Sequence, residues 1–407
     1  MTEGGEAWLT IIGIGDNGAE SLTPEARQIL TRSQTIVLAG RIADGLNLAG
    51  KTLINWDDGF EAGMAKIRER AGTPVTVLAT GDPMHFGIGA SLRKYFPASD
   101  MRVLPSPSAF SLAASRLGWP LQNVDCISLH GRPVENLVRY LGPRNRILAL
   151  TSDGAGVIEI AALLCRHAMG SSQLAVLEHI GGPREAIHRM SAEDAARGAA
   201  TFADFNTLAI ECVAPQSWFP TVPGLPDDAF RHDGQLTKSE IRAVTLSKLR
   251  PFPGGLLWDV GAGCGSVAIE WMRAVRDGRA IAIEEKPARV AMIGFNARAL
   301  GVPSLQVVTG AAPSALAGLE LPDAVFIGGG VTGDGVFDAC WQALRTGGVL
   351  VANAVTLEGE AELTGLRSRY GGDLVRISVA RAAPVGRFCG LKALMPVTIW
   401  STIKEGN

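Results

Sequence analysis

The stretch LLWDVGAGCGSVAIE, residues 256–270, decides the fold of the second half of the chain. It begins as a short apolar strand, passes Asp259, and turns through Gly261, Gly263 and Gly265 into the start of a helix. Glycine has no Cβ, so such a turn brings backbone N–H groups and a helix N-terminus against a ligand. Roughly twenty residues on, the run AIAIEE ends a second strand with Glu284, placed to accept hydrogen bonds from a ribose. Its neighbour Glu285 reads as a solvated charge. Further strands are expected at 305–310, 323–329, 348–355 and near 374–380, with helices between the earlier ones. That alternation predicts a doubly wound parallel α/β sheet with ligands at the strand C-termini. Before the first of these strands, LTKSEIRAVTLSKL predicts a helix capped by Thr237, with Glu240 completing a capping box.

Two cofactors fit the glycine turn. A nicotinamide dinucleotide fingerprint is G-x-G-x-x-G, whereas here Gly265 comes one residue early and Ser266 follows it. Asp259 also stands two residues before the first glycine. Both features resemble motif I of the Rossmann-like (class I) methyltransferases. That resemblance implies S-adenosylmethionine held by Asp259, Gly261, Ala262, Gly263 and Gly265, with Glu284 on the ribose hydroxyls. Gly328, Gly329 and Gly330, after the fourth strand, would let substrate or sulfonium approach the backbone, or would simply form a loop. A ligand-free turn would not require three glycines and an acid at this spacing.

The first half carries a different pattern. A strand over 8–14 ends in Gly13-Ile14-Gly15-Asp16, a strand over 74–80 runs into TGDPMHFGIG, and a third segment ends in PSPSA, 105–109. Thr23 and Pro24 read as the N-cap and first residue of a helix. Strands are expected at 146–152, 173–181 and 206–212, and a change of character near 142–146 suggests two lobes. Singly, Asp-Pro and Ser-Pro are ordinary turn formers. Together, in this order and at strand ends, the turns resemble the tetrapyrrole methylase (class III) family over about residues 8–212. This implies S-adenosylmethionine in a trough between two α/β lobes, contacted by Gly81, Asp82, Pro83, Phe86, Ser108, Ala109 and Thr151. The sequence PSPSA departs from that family's usual Pro-Gly-x-Ser-Ser.

The second half matches one family more closely than class I enzymes at large. GQLTKSEIRAVTLSKLRP, DVGAGCGSVAIE, AIEEKPARV, NARALGV, GAAPSAL and FIGGG resemble the decarboxylating precorrin-6 methyltransferases of corrin synthesis, over about 234–400. Where that family commonly has an acid, this chain has Ala311. A contact on the adenine side is then missing or supplied by backbone N–H. The joined resemblances imply methylation of precorrin-6B at carbon 5 by the first domain. The second would methylate carbon 15 and release CO2 from the ring C acetate, giving precorrin-8X in cobalamin biosynthesis. An acidic macrocycle needs cations. The candidate cations are Lys238, Arg242, Arg381 and Arg387, with Thr237 beside them as a further substrate-binding candidate; each cation alone is equally readable as a surface charge. Methyl transfer from a sulfonium needs no dedicated acid or metal, and no catalytic residue is assigned.

Length and composition set the bounds. A chain of 407 residues predicts two or three domains. Pro215, Pro220, Pro223 and Pro226 exclude regular structure across a seam. The expected division is a tetrapyrrole methylase domain over 1–213, a linker over 214–235, and a Rossmann-like domain over 236–407. Trp218 and Phe219 would pin the linker to one domain. With 47% hydrophobic residues, 49 glycines and 19% charged residues, the profile is α/β and globular. A formal net charge of −2 argues against nucleic acid as a partner. The acidic N-terminus predicts no secretory signal, and no apolar run approaches the ~20 residues of a membrane helix. Six scattered cysteines, without a CxxC pair, read as reduced and buried. Six scattered histidines predict no metal site. A cytoplasmic homo-oligomer is expected from the family. The rival readings are an NAD-dependent oxidoreductase, a binding-only protein, and a methyltransferase acting on RNA or another substrate.

Overall fold

A computed structural model describes residues 7–43, 45–198, 200–213 and 218–406. They divide into two compact units. The first runs to Val134 and resumes at Gly142; the second takes Glu135–Leu141 and the C-terminal part of the chain.

The first unit holds two five-stranded sheets. Strands β1 (Leu9–Ile14), β2 (Thr35–Leu38), β3 (Thr52–Asn55), β4 (Val75–Thr80) and β5 (Met101–Leu104) form an all-parallel sheet ordered β3-β2-β4-β1-β5. The central strands β1 and β4 are buried almost throughout, which is why they read as continuous apolar runs. Thr23 caps the helix Pro24–Arg32, its side chain accepting the Ala26 N–H, as the sequence predicts. The second sheet contains β6 (Asp125–Ser128), β7 (Arg146–Leu150), β8 (Gln173–Glu178), β9 (Ala186–Ser191) and β10 (Asn206–Glu211), ordered β6-β7-β10-β8-β9. Only β6 and β7 pair in parallel. This lobe begins before the expected 142–146. The helix Ala109–Leu117 already buries Phe110, Ala113 and Ala114 against Leu148, Ala175 and Leu177 of the second sheet.

In the second unit, β11 (Leu256–Val260), β12 (Arg279–Glu284), β13 (Gln306–Thr309), β14 (Ala324–Ile327) and β15 (Val349–Ala354) pair in parallel, followed by β16 (Asp373–Ile377). A hairpin of β17 (Ala380–Val385) and β18 (Phe388–Ala393) forms its own small sheet, and β19 (Val397–Ile403) returns antiparallel between β15 and β16. The sheet order is β13-β12-β11-β14-β15-β19-β16. Residues alternate between two cores: Leu257 faces one, while Leu256, Trp258 and Val260 face the other. Each such side chain contributes about 1.5–3 kcal/mol when fully buried.

The Pro-rich seam is part of this core. Leu225 and Phe230 are buried in it, and Phe219 packs against it while Trp218 is exposed. Residues 214–217, with Pro215, lie outside the described residues. The helix before β11 starts at Ser239 rather than after a Thr237 cap. Asp227, brought in by the seam, accepts the Ser239 N–H at 2.9 Å and does the capping instead. Among the described residues no helix is long and apolar enough to cross a membrane. The six cysteines are free thiols; Cys212, Cys264 and Cys340 are buried, but Cys389 on the hairpin is exposed, contrary to expectation. Burial pushes the Cys212 thiol up to about 11 and Cys340 up to about 12.

Candidate active sites

The second unit's site grows from the end of β11. Leaving the strand, the Gly261 and Ala262 N–H groups both donate to the Ile283 carbonyl at 3.0 Å, holding the turn beside β12. Gly261, Gly263 and Gly265 all have positive φ. A Cβ on Gly261 would stand 3.1 Å from the Gly329 carbonyl oxygen. The loop after β14 is thereby drawn against the turn, and the Gly328 N–H donates to Val260 O at 3.0 Å. Gly265 is buried against Ile293, so it serves packing and does not face a ligand.

Two acids complete this edge. Glu284 is buried; one carboxylate oxygen accepts the Gly263 N–H at 2.8 Å and the other the Lys286 N–H at 3.0 Å. A carboxylate oxygen has two lone pairs, so each keeps acceptor capacity for a hydroxyl. Glu285 is exposed. Asp259 accepts the Ala268 N–H at 3.0 Å through one oxygen, while its Oδ1 is buried without a partner. Burial, with a smaller contribution from the Glu284 charge, pushes the Asp259 carboxyl up to about 7. Gly310 donates to the Glu284 carbonyl at 3.0 Å, which seats the exposed Ala311 beside this acid. Asp259, Gly261, Ala262, Gly263, Glu284, Ala311 and Gly328 are thus gathered at the C-terminal ends of β11–β14. A turn held at positive φ at Gly261 and Gly263, a buried acceptor without a partner and an acid with spare lone pairs fit the glycine-turn half of S-adenosylmethionine.

The first unit contains a cavity of about 590 Å³ lined from both sheets. Gly81, Asp82, Phe86, Ser108, Ala109 and Thr151 all line it. A Cβ on Gly13 would stand 2.3 Å from Gly81 O and 2.6 Å from Ser106 N, so the turns after β1, β4 and β5 converge by backbone contact. Asp82 accepts the Met84 N–H at 2.8 Å and tightens the second turn. Pro83 does not line the cavity: it is buried behind the turn, its carbonyl accepting the Ala90 N–H at 3.2 Å. Ser108 Oγ is occupied as a helix cap on Ser111 N, which leaves its backbone to face a ligand. Thr151 donates to Asn206 Oδ1 at 2.8 Å, fixing the floor. Sequence reasoning missed Arg41, Trp56, His85, His130 and Arg132 in the lining. Arg41 follows β2 and Arg132 follows β6, both four-residue strands.

The predicted substrate cations separate. Arg242 is fully buried, paired with Glu270 at 2.6 Å and donating to the Thr237 and Leu225 carbonyls. It cannot reach a substrate. Arg381 is clamped by Glu240 at 2.6 Å and Asp227 at 2.8 Å, and the pair holds the Glu240 carboxyl down at about 2. It is a structural tie, not a free cation. Lys238 is half-buried and makes no ion pair among the described residues, beside half-buried Thr237. Arg387 is exposed between β17 and β18, its guanidinium 5.0 Å from the Phe388 ring centroid. Among the described residues no cluster of three or more His, Cys, Asp or Glu could hold a metal.

The fold and sites define a chain of two S-adenosylmethionine-dependent methyltransferase domains of different design. It is 47% identical over 404 residues, 98% of its length and 96% of the relative's, to a precorrin-6Y C(5,15)-methyltransferase [decarboxylating] of Sinorhizobium sp. The chain belongs to the precorrin-6Y C(5,15)-methyltransferase (decarboxylating) family. The Mycobacterium tuberculosis protein of that name is 38% identical, covering 98% of this chain and 100% of its own. Residues 8–196 match the tetrapyrrole (corrin/porphyrin) methylases, and 228–404 the precorrin methyltransferase domain. A solved structure, the C-terminal domain of precorrin-6Y C5,15-methyltransferase from Rhodobacter capsulatus, is 49% identical. It covers 46% of this chain and 100% of its own, with a TM-score of 0.43.

Proposed function

We propose that the chain methylates precorrin-6B at carbons 5 and 15 and releases CO2 from the ring C acetate, giving precorrin-8X in cobalamin biosynthesis. The likeness to a decarboxylating C(5,15)-methyltransferase over 98% of the chain carries this reading, because it spans both domains. The first domain takes carbon 5; the second takes carbon 15 and the decarboxylation.

When bound, S-adenosylmethionine supplies a methyl group already activated on a sulfonium. The protein's share is therefore positioning and water exclusion. In the second domain, Glu284 fixes the ribose and the turn from Gly261 to Gly263 holds the methionyl end. Gly328 lets the reacting centre approach the backbone, and Lys238 and Arg387 are the candidate cations left available for a substrate carboxylate. In the first domain, Gly81, Asp82, Phe86 and Ala109 shape the trough. Decarboxylation leaves an electron pair on the ring framework, which the conjugated macrocycle accepts once protonated. The protein aids this step by desolvating the departing carboxylate. A cytoplasmic homo-oligomer working without nucleic acid or membrane completes the reading.

Mass spectrometry of the tetrapyrrole, after anaerobic incubation of precorrin-6B with S-adenosylmethionine and the full chain, tests it. Gain of two methyl groups and loss of one CO2 is expected. An unchanged substrate mass, with S-adenosylmethionine bound, would refute the substrate assignment.

A further inference from the structure

Two arginines of the first unit's cavity, Arg41 and Arg132, form no ion pair with a carboxylate among the described residues, although the charges of Asp16 and Asp57 act on Arg41 from farther off. Each lies over an aromatic ring carried by the other sheet. Arg41, after β2 of the first sheet, stands 4.3 Å from the centroid of Phe205, which precedes β10 of the second. Arg132, after β6 of the second sheet, stands 6.0 Å from the centroid of Phe86, which follows β4 of the first. Phe86 itself has φ +57, a backbone conformation that non-glycine residues seldom adopt. The two contacts are reciprocal across the trough.

A ring covers one face of a guanidinium and leaves its N–H edge free for planar, bidentate recognition of a carboxylate. Arg41 uses one of its donors on Thr80 Oγ1 at 2.7 Å. The carboxylates nearby make their contacts elsewhere. Asp82 accepts from Met84 N and Asp204 from Gly154 N. Asp57 accepts from Gly40 N, and Asp16 faces His179 at 3.3 Å. No carboxylate among the described residues is within ion-pair distance of either guanidinium, so the cavity presents two anchored forks open to an anion from outside the chain.

We infer that Arg41 and Arg132 are the specificity-determining pair of the first active site, each holding one carboxylate of a substrate that spans both sheets. The inference rests on the reading above that the substrate is a polycarboxylate macrocycle. The carboxylate of S-adenosylmethionine has the same chemistry, so the test separates the two sources.

The full chain is compared with R41Q, R132Q, the double variant, and R41K and R132K. Carbon-5 and carbon-15 methylation are resolved by mass spectrometry, and S-adenosylhomocysteine binding is measured by calorimetry. Each glutamine variant should raise KM for carbon-5 methylation about 10- to 100-fold, the worth of a charge-assisted contact. Expected besides are a nearly unchanged kcat, unchanged S-adenosylhomocysteine affinity and partial recovery in the lysine variants. Unaltered KM overturns the inference. So does a comparable loss of S-adenosylhomocysteine affinity, which would place the guanidinium on the cofactor. If the parent chain methylates no precorrin, the functional reading fails first and the inference falls with it.

Discussion

The carboxylate of Glu284 accepts the backbone N–H of Gly263 at 2.8 Å, so the acid that ends β12 also shapes the turn that leaves β11. The site is ordered by the group that would bind ribose. Little rearrangement is then required on binding, which favours affinity.

Replacing Glu284 with Gln removes the charge and sets an amide NH2 against one of the two backbone N–H groups that the carboxylate accepts. S-adenosylhomocysteine should bind the second domain about 10- to 100-fold more weakly, with the first domain's binding unchanged. Calorimetric titration of the full chain would show one of two binding events weakened. Two unaltered events would reduce Glu284 to a purely structural role.

Glycine substitutions should separate the two reactions. A methyl group on Gly13 meets Gly81 O at 2.3 Å and Ser106 N at 2.6 Å, both backbone atoms that cannot rotate away. G13A should cost about 1–3 kcal/mol of first-domain stability by overpacking and abolish carbon-5 methylation. G261A forces alanine to φ +73, at about 1–2 kcal/mol, and should abolish carbon-15 methylation and CO2 release. Product masses from each variant read the outcome directly.

Arg242 and Glu270 form a fully buried pair. R242M or E270Q strands one partner in the core and should destabilise the second domain by about 3–5 kcal/mol. Denaturant unfolding followed by the fluorescence of buried Trp258 and Trp271 measures this. The double variant should lose less than the two single losses added, because neither charge is then left alone. Additive losses would show that the pair is not coupled.

Asp259 has a folded pKa of about 7 against an ordinary 3.8. Between those values the folded chain binds a proton that the unfolded chain has released. Stability therefore falls as pH rises from about 4 to about 7, and levels off above that. D259N should flatten this slope in melting temperatures recorded across the window. An identical slope in the variant would place the titration elsewhere.

The second site was legible in the sequence because it is local. One strand, one turn and the next strand's last residue make it, and the same positions meet in the structure. The first site was legible only at its turns, which Gly13 draws together by close backbone contact. Arg41 and Arg132 escaped because β2 and β6 are four-residue strands, too short to show a period even where, as in β2, they are apolar. Had β2 been recognised, Arg41 would fall just beyond a strand C-terminus, like the other site residues. Arg242 and Arg381 were misread for another reason. Their partners Glu270, Asp227 and Glu240 lie up to 154 positions away, and spacing carries no record of which charges a fold will bury together. The Thr237 cap failed likewise, displaced by Asp227 from the seam.

Leu225 and Phe230, from the stretch that reads as a tether, have consequences for dissecting the chain. A fragment beginning at Leu236 would lack both apolar plugs and the N–H groups of Gly224 and Leu225 that neutralise Glu270. It would present an open slot and an under-solvated carboxylate, the signature of a piece that aggregates on expression. An autonomous second half has to begin upstream of Phe219, and it would still lack Glu135–Leu141, whose Arg139 donates to the Arg273 and Val275 carbonyls.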